Sequence, residues 1–125
     1  MSRRRYVQTM AVNEFYEMCQ LEKFPNLESF MEKVDLNNLD ILMEMVLNAY
    51  PLKPIFLRPY DEQPRRFDIL SGGERLATLL SLIEDQDRLN NLTEAERSVF
   101  WHYTLIVEHV TEPDTERIFD LYEKM

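Results

Sequence analysis

The stretch Phe67-Asp68-Ile69-Leu70-Ser71-Gly72-Gly73-Glu74-Arg75-Leu76-Ala77-Thr78-Leu79-Leu80 decides how this chain folds. It opens with the apolar residues of a short buried strand and continues with leucines at helical spacing. Its two glycines are the only ones among 125 residues, so the conformational freedom of glycine is concentrated at one turn. The stretch predicts a strand over Phe67–Leu70, a turn at Ser71-Gly72-Gly73 and a helix over Glu74–Ile83.

Hydrophobic periodicity predicts the elements on the N-terminal side of this stretch. They are a strand over Tyr6–Met10, a helix capped by Asn13, a helix or loop over Leu27–Val34, a helix running from Asn38 to Tyr50 and a strand over Ile55–Leu57. The charged, proline-containing segment from Pro59 to Pro64 has a length that suits an antiparallel hairpin between this last strand and Phe67–Leu70.

The C-terminal third of the chain contains two helix-start signals and one strand signal. Thr93-Glu94-Ala95-Glu96 has the spacing of a capping box, and Tyr103–Val110 is rich in β-branched and aromatic residues. A final helix, with proline in its first turn, should carry Ile118, Leu121 and Tyr122. The whole pattern predicts one α+β domain over residues 1–125, with a small mixed sheet flanked by helices.

Composition narrows the classes of function. Lys and Arg number 14 and Asp and Glu number 23, which disfavours a nucleic-acid binder that uses its whole surface. A single cysteine, Cys19, permits no intrachain disulfide. His102 and His109 lie seven residues apart around the predicted third strand and should point to opposite faces, which disfavours a shared metal site. Because neither a membrane-spanning apolar run nor a signal core is present, we expect a cytoplasmic protein without a membrane partner, and the residue pattern predicts no metal-ligand set.

The glycine turn is the place where the sequence predicts chemistry. A helix that opens at Gly72-Gly73 presents unpaired backbone amides together with the positive end of its dipole, which favours an anion such as a phosphate. Ser71 can donate through its hydroxyl, Arg75 can bind a phosphate bidentately, and Glu74 can bind a ribose hydroxyl or a metal-bound water. The alternative is that the glycines only make a tight connection and that Glu74 and Arg75 are solvated.

Three arginines form a local basic cluster in the predicted hairpin. Arg58, Arg65 and Arg66 lie close in sequence to the glycine turn, with Lys53 nearby, so they are candidates for contacting a polyanion. The alternative is that they are exposed arginines of an ordinary hairpin.

The segment Pro54-Ile55-Phe56-Leu57-Arg58-Pro59, followed by Leu70-Ser71-Gly72-Gly73-Glu74-Arg75, resembles the ParB/sulfiredoxin-like fold. Together with Ala49-Tyr50-Pro51-Leu52, it is most similar to the ParB-like domains of GmrSD-type restriction systems. The resemblance implies binding of a nucleoside triphosphate with Mg²⁺ by residues 71–75, with hydrolysis in some members. It also implies a role in a modification-dependent nuclease system. In such a system DNA would be contacted through a further domain, and the nuclease would be a C-terminal domain or a partner subunit.

The sequence departs from this family at its polar motifs. The family's Asp-Gly-Gln-Gln-Arg box is replaced by Ser71, Gly72, Gly73, Glu74 and Arg75, which retains only the first glycine and the arginine. The alternative function is therefore a non-catalytic protein-interaction module that keeps the fold.

Overall fold

The computed structural model describes residues 5–111 together with residues 117, 120, 121 and 124. Residues 5–111 form four strands and six helices. In chain order they are β1 (Arg5–Ala11), α1 (Val12–Leu21), α2 (Leu27–Met31), α3 (Leu36–Leu47), β2 (Ile55–Tyr60), β3 (Arg66–Ser71), α4 (Gly73–Glu84), α5 (Gln86–Asn90), α6 (Glu94–His102) and β4 (Thr104–Val110).

The four strands form one mixed sheet in the order β1-β4-β2-β3. β4 pairs with β1 antiparallel and with β2 parallel, and β2 pairs with β3 as an antiparallel hairpin. The predicted α+β class and the small mixed sheet are confirmed, and so is the hairpin. The parallel pair requires the chain to cross over from β3 through three helices to reach β4.

The core lies between one face of the sheet and the helices. Leu57 of β2 lies opposite Ile69 of β3, Ile55 of β2 lies opposite Val107 of β4, and all four side chains are almost completely buried. They pack in one cluster with Phe15 of α1 and Leu76 of α4. α4 is the most buried helix, since most of its residues from Gly73 to Ile83 are inaccessible.

Several helix boundaries differ from the sequence prediction. α1 begins at Val12, two residues earlier than an Asn13 cap would give, because β1 runs directly into it and the Glu14 carboxylate accepts from the Ala11 amide at 3.1 Å. α3 begins after Asp35, whose carboxylate accepts from the Asn38 amide at 2.8 Å. Tyr50, predicted as the last residue of this helix, lies beyond the end of α3 and is 53% exposed.

Other boundaries agree with the prediction or extend it. The capping box of α6 is confirmed: the Thr93 hydroxyl accepts from the Glu96 amide at 3.1 Å, and the Glu96 carboxylate accepts from the Thr93 amide at 2.9 Å. The short helix α5 was not predicted, and its cap is the Asp85 carboxylate, which accepts from the Arg88 amide. Most of the predicted C-terminal helix, including Ile118 and Tyr122, lies outside the described residues.

The outer edge of β3 is closed by the segment between α1 and α2. The Lys23 amide donates to Arg65 O, and the Phe67 amide donates to Lys23 O, both at 2.8 Å. The Asn26 side-chain amide then pairs with Ile69 in the manner of a strand, donating to Ile69 O and accepting from Ile69 N at 3.0 Å. Four hydrogen bonds thus satisfy an edge that would otherwise present unpaired backbone groups.

Candidate functional site

Gly72 is the N-cap residue of α4 and has a left-handed backbone, with φ of +88°. A Cβ at this position would lie 2.9 Å from Arg75 Nη2 and 3.4 Å from the Ile55 Cα atom. Glycine is therefore required here by the backbone conformation, and a Cβ would also displace the end of the flexible Arg75 side chain. The strand-to-helix connection is confirmed, although Gly72 alone forms the turn.

Gly73 is the first residue of α4 and is buried under the ring of Phe30 from α2. A Cβ on Gly73 would lie 2.5 to 2.6 Å from three carbon atoms of that ring. Glycine at position 73 lets an aromatic ring pack directly against the helix backbone. This packing explains the glycine without any bound ligand. The sequence held no signal for this contact, which joins residues far apart in the chain.

Arg75 folds back over the start of its own helix. Its Nη2 donates to Pro54 O at 2.9 Å, while its buried Nε has no acceptor among the described residues. Burial lowers the pKa of Arg75, and the neighbouring Glu74 charge opposes that effect. Because the helix N-terminus is itself positive and no side chain among the described residues caps it, the neighbouring Glu74 charge compensates the guanidinium only in part.

A cleft beside Arg75 runs between α3 and α4 and has a volume of about 390 Å³. We call it the α3–α4 cleft. Its lining residues are Asn38, Ile41, Leu42, Met45, Pro51, Leu52, Lys53, Glu74, Arg75 and Thr78. Two cations, Lys53 and Arg75, thus border a cleft whose other walls are largely apolar.

The polar groups of the cleft differ in their availability. Lys53 and Glu74 are exposed, so both charged groups are free to move toward a ligand. The Thr78 hydroxyl donates to Glu74 O at 2.7 Å and so braces the first turn of α4. Ser71 lies at the end of β3, opposite Phe56, and is not one of the residues that line the cleft.

The hairpin arginines do not converge on the glycine turn. Arg66 stacks 3.8 Å from the centre of the Tyr60 ring and lies 3.5 Å from the Glu62 carboxylate. It stands five strand residues from Ser71, or roughly 17 Å along an extended chain. The expectation that the hairpin cluster adjoins the turn therefore fails for Arg66 because β3 carries it to the far end of the strand.

Arg58 and Arg65 make similar local contacts. Arg58 approaches the Tyr60 ring at 5.3 Å, and Arg65 lies 4.8 Å from the centre of the Phe67 ring. Lys53, which sequence proximity grouped with these arginines, lies in the α3–α4 cleft instead. The structure thus divides the predicted basic cluster between two places.

His109 is the most deeply buried polar side chain that the structure describes, with 1% of its surface exposed. Its ring stacks on Tyr6 at 4.3 Å, and its Nε2 lies 3.1 Å from the Gln8 Oε1 atom. Burial lowers the pKa of His109 to about 4, and the positive charge of Arg65 adds to this effect. His102 is exposed in α6 and contacts Ser98 O.

Metal-ligating and nucleophilic groups are sparse in the described ranges. No group of three or more His, Cys, Asp or Glu side chains there is arranged to hold a metal ion. Cys19 is partly buried on α1, and burial raises the pKa of its thiol to about 12. Such a thiol stays protonated at neutral pH and is a poor nucleophile.

Comparison with known proteins gives no relative from which a function could be carried over. No family model matches the chain, and neither a curated protein nor a solved structure matches it. None of the helices in the described residues has the length and apolar character needed to cross a membrane. The likeness to ParB-like domains stays a prediction, and the site is interpreted from its geometry.

Proposed function

We propose that the chain binds a phosphate-bearing ligand, a nucleoside triphosphate in particular, at the α3–α4 cleft. Arg75 and Lys53 would contact the phosphates, and the first-turn amides of α4 at Glu74 and Arg75 would add donors. The proposal keeps Glu74 and Arg75 from the predicted set. It replaces Ser71 with Lys53 and gives Gly72 and Gly73 a role in shaping the turn.

The observation that carries the proposal is the position of the Arg75 guanidinium. It is half-buried at the positive end of a helix and holds only one hydrogen bond, to Pro54 O, with Nε lacking an acceptor among the described residues. The charge of Glu74 compensates this half-buried cation only in part, and an anion would satisfy it further. A charge-assisted hydrogen bond of this kind contributes about 1.5–3 kcal/mol.

The shape of the cleft favours a nucleotide over a bare phosphate. Lys53 and Arg75 line the cleft together with Ile41, Met45 and Leu52, which supply apolar surface on which a base or sugar can pack. Mg²⁺ is commonly held by one or two carboxylates together with substrate phosphates, and Glu74 is the one carboxylate among the described residues that line the cleft. Glu74 would therefore hold Mg²⁺ at the phosphates, where the metal would neutralise phosphate charge.

The wider biological setting rests on the resemblance alone. A role as a regulatory module in a DNA-targeting restriction or defence system, with triphosphate hydrolysis, accords with the ParB-like likeness. The cleft itself argues only for binding, because its one carboxylate is needed for the metal in this arrangement.

Isothermal titration calorimetry with each of the four nucleoside triphosphates, with and without Mg²⁺, tests the proposal. Pyrophosphate and the corresponding nucleosides serve as probes that separate phosphate binding from base binding. We expect a measurable heat with at least one triphosphate, and a weaker one with pyrophosphate. Lys53→Ala and Arg75→Lys should each weaken binding about tenfold or more, which corresponds to the loss of one charge-assisted contact.

Lys53→Ala tests ligand binding with less risk to folding than Arg75→Lys, because the Lys53 side chain is exposed and makes no hydrogen bond among the described residues. Its replacement should leave the unfolding midpoint unchanged. Lys33→Ala is a matched control, since Lys33 is also exposed but follows α2, away from the cleft lining. Absence of heat with all four triphosphates, or equal losses from Lys53→Ala and Lys33→Ala, would exclude this cleft as the site.

A second candidate is the protein-interaction module. The observation that favours it is apolar surface left open at β1 and β4, where Val7 is 57% and Ile106 is 41% exposed. Thr9 lies directly opposite Ile106 in the pairing of the two strands. This surface lies on the sheet, not at the α3–α4 cleft, so the two functions are compatible.

A further inference from the structure

The wall that α3 contributes to the α3–α4 cleft is apolar except at one residue. From this helix the cleft is lined by Asn38, Ile41, Leu42 and Met45. Their helical spacing places these side chains on one face of α3. Of the four, only Asn38 is polar, so it is the side chain of this wall that can form a hydrogen bond with a ligand.

The carboxamide of Asn38 is available for such a bond. The backbone amide of Asn38 donates to the Asp35 carboxylate at 2.8 Å, which fixes the residue in the first turn of α3. The side chain is exposed and makes no hydrogen bond among the described residues. Because a carboxamide offers an acceptor oxygen next to a donor nitrogen, it can bond two adjacent groups of a ligand at once.

Asn38 lies one helical turn from the residue of α3 that adjoins both cations of the cleft. That residue is Leu42, which borders a smaller cavity together with Lys53 and Arg75. Asn38 precedes Leu42 by one turn, or about 6 Å along the helix axis. Since the sugar of a nucleotide separates its base from its phosphates, phosphates held by the two cations leave room for the base beside Asn38.

We propose that Asn38 selects adenine, so that the ligand of the α3–α4 cleft is an adenine nucleotide; this inference rests on the proposed function. The Watson–Crick edge of adenine presents one donor, the N6 amino group, and one acceptor, N1, next to an apolar C2–H. A single carboxamide satisfies both polar groups. The corresponding edges of guanine, cytosine and uracil each present three polar groups, and Ile41 and Met45 offer no partner for the third.

Isothermal titration calorimetry of the full chain with Mg²⁺ and ATP, GTP, CTP or UTP tests this selection. We expect ATP to bind about tenfold more tightly than the other three, as one bidentate contact to a base allows. Asn38→Leu keeps a similar side-chain volume without hydrogen-bonding groups, and should remove the preference by weakening ATP about tenfold. Purine riboside triphosphate lacks the N6 amino group, so it should bind more weakly than ATP to the unaltered chain and equally to the Asn38→Leu variant.

Two controls separate base selection from folding and from phosphate binding. Asn37→Leu should leave the preference for ATP unchanged, since Asn37 is also exposed in α3 but is not one of the residues that line the cleft. Pyrophosphate carries no base, so Asn38→Leu should leave its affinity unchanged. The unfolding midpoint of Asn38→Leu should also stay the same, because the Asn38 side chain makes no hydrogen bond in the described part of the chain.

The outcomes distinguish this inference from the proposed function. Equal affinities for the four triphosphates, or a preference for another base, would overturn the selection of adenine and leave phosphate binding at the cleft intact. A preference for ATP that survives Asn38→Leu, or that Asn37→Leu also removes, would overturn the role of Asn38. Absence of binding for every triphosphate and for pyrophosphate would overturn both.

Discussion

The contact between Gly73 and Phe30 predicts that the effect of Gly73→Ala on the free energy of unfolding depends on whether the Phe30 ring is present. In the unaltered chain, Gly73→Ala places a Cβ 2.5 Å from the nearest atom of the Phe30 ring. Carbon atoms pack at about 3.5–4.0 Å, so the ring or the helix must move by roughly 1 Å. Overpacking of this kind costs about 1–3 kcal/mol in the free energy of unfolding.

The opposing term is helix propensity. Alanine is favoured over glycine by up to about 1 kcal/mol within a helix, and Gly73 has no positive φ that would oppose alanine. We therefore expect Gly73→Ala to destabilise the unaltered chain by about 1–2 kcal/mol. In a Phe30→Ala background the obstacle is absent, and the same change should be neutral or stabilising.

Urea unfolding of the four members of this cycle, followed by circular dichroism, measures the coupling energy. Gly72→Ala is the matched control. Its cost arises from the left-handed backbone and from Arg75, so it should be the same with Phe30 and without it. If Gly73→Ala has an equal effect in both backgrounds, the Phe30 ring does not account for the glycine, and a ligand becomes the better explanation.

Three further predictions concern positions away from the cleft. Ala49 lies two residues beyond the end of α3 and has a left-handed backbone with φ of +56°, its amide donating to Val46 O. Ala49→Gly should therefore raise the unfolding free energy by about 0.5–1 kcal/mol in urea titrations, and a decrease would contradict the assigned backbone. Asn26→Ala removes both hydrogen bonds to the Ile69 backbone and should cost about 1–3 kcal/mol by the same measurement, whereas an unchanged midpoint would show that the β3 edge is closed by other means. The pKa of His109 is about 4 in the folded state and 6.5 in the unfolded state. Between pH 6.5 and pH 4 only the unfolded state takes up a proton at this residue, so the folded state loses up to about 3 kcal/mol of stability as the pH falls through that range. Urea midpoints of His109→Gln should fall less steeply over the same range, and an identical slope would assign the pH dependence to other groups.

The candidate site was only partly predictable from sequence. The sequence predicts Glu74 and Arg75 as binding residues because they follow the glycines, and both line the α3–α4 cleft. Lys53 could be recognised as basic, but its place beside Arg75 depends on how the segment after α3 crosses the start of α4. The distance of Arg66 from the turn likewise depends on the length and direction of β3. The predicted strand, Phe67–Leu70, is one residue shorter at each end than the observed Arg66–Ser71.

Local interactions determined most of the secondary structure. The Thr93–Glu96 capping box, the leucine spacing of α4 and the strand composition of β4 all act within a few residues, so the sequence alone was sufficient to place those elements. The left-handed turn at Gly72 also belongs to this group, because only one dipeptide in the chain offers that freedom.

Contacts between distant residues were decided by the tertiary structure. The Phe30 ring over Gly73, the Asn26 clamp on Ile69 and the parallel pairing of β2 with β4 each join segments separated by dozens of residues. A single sequence does not encode such pairings in any local pattern, because many apolar surfaces could satisfy the same burial. Their choice follows from the simultaneous packing of all the elements around one core.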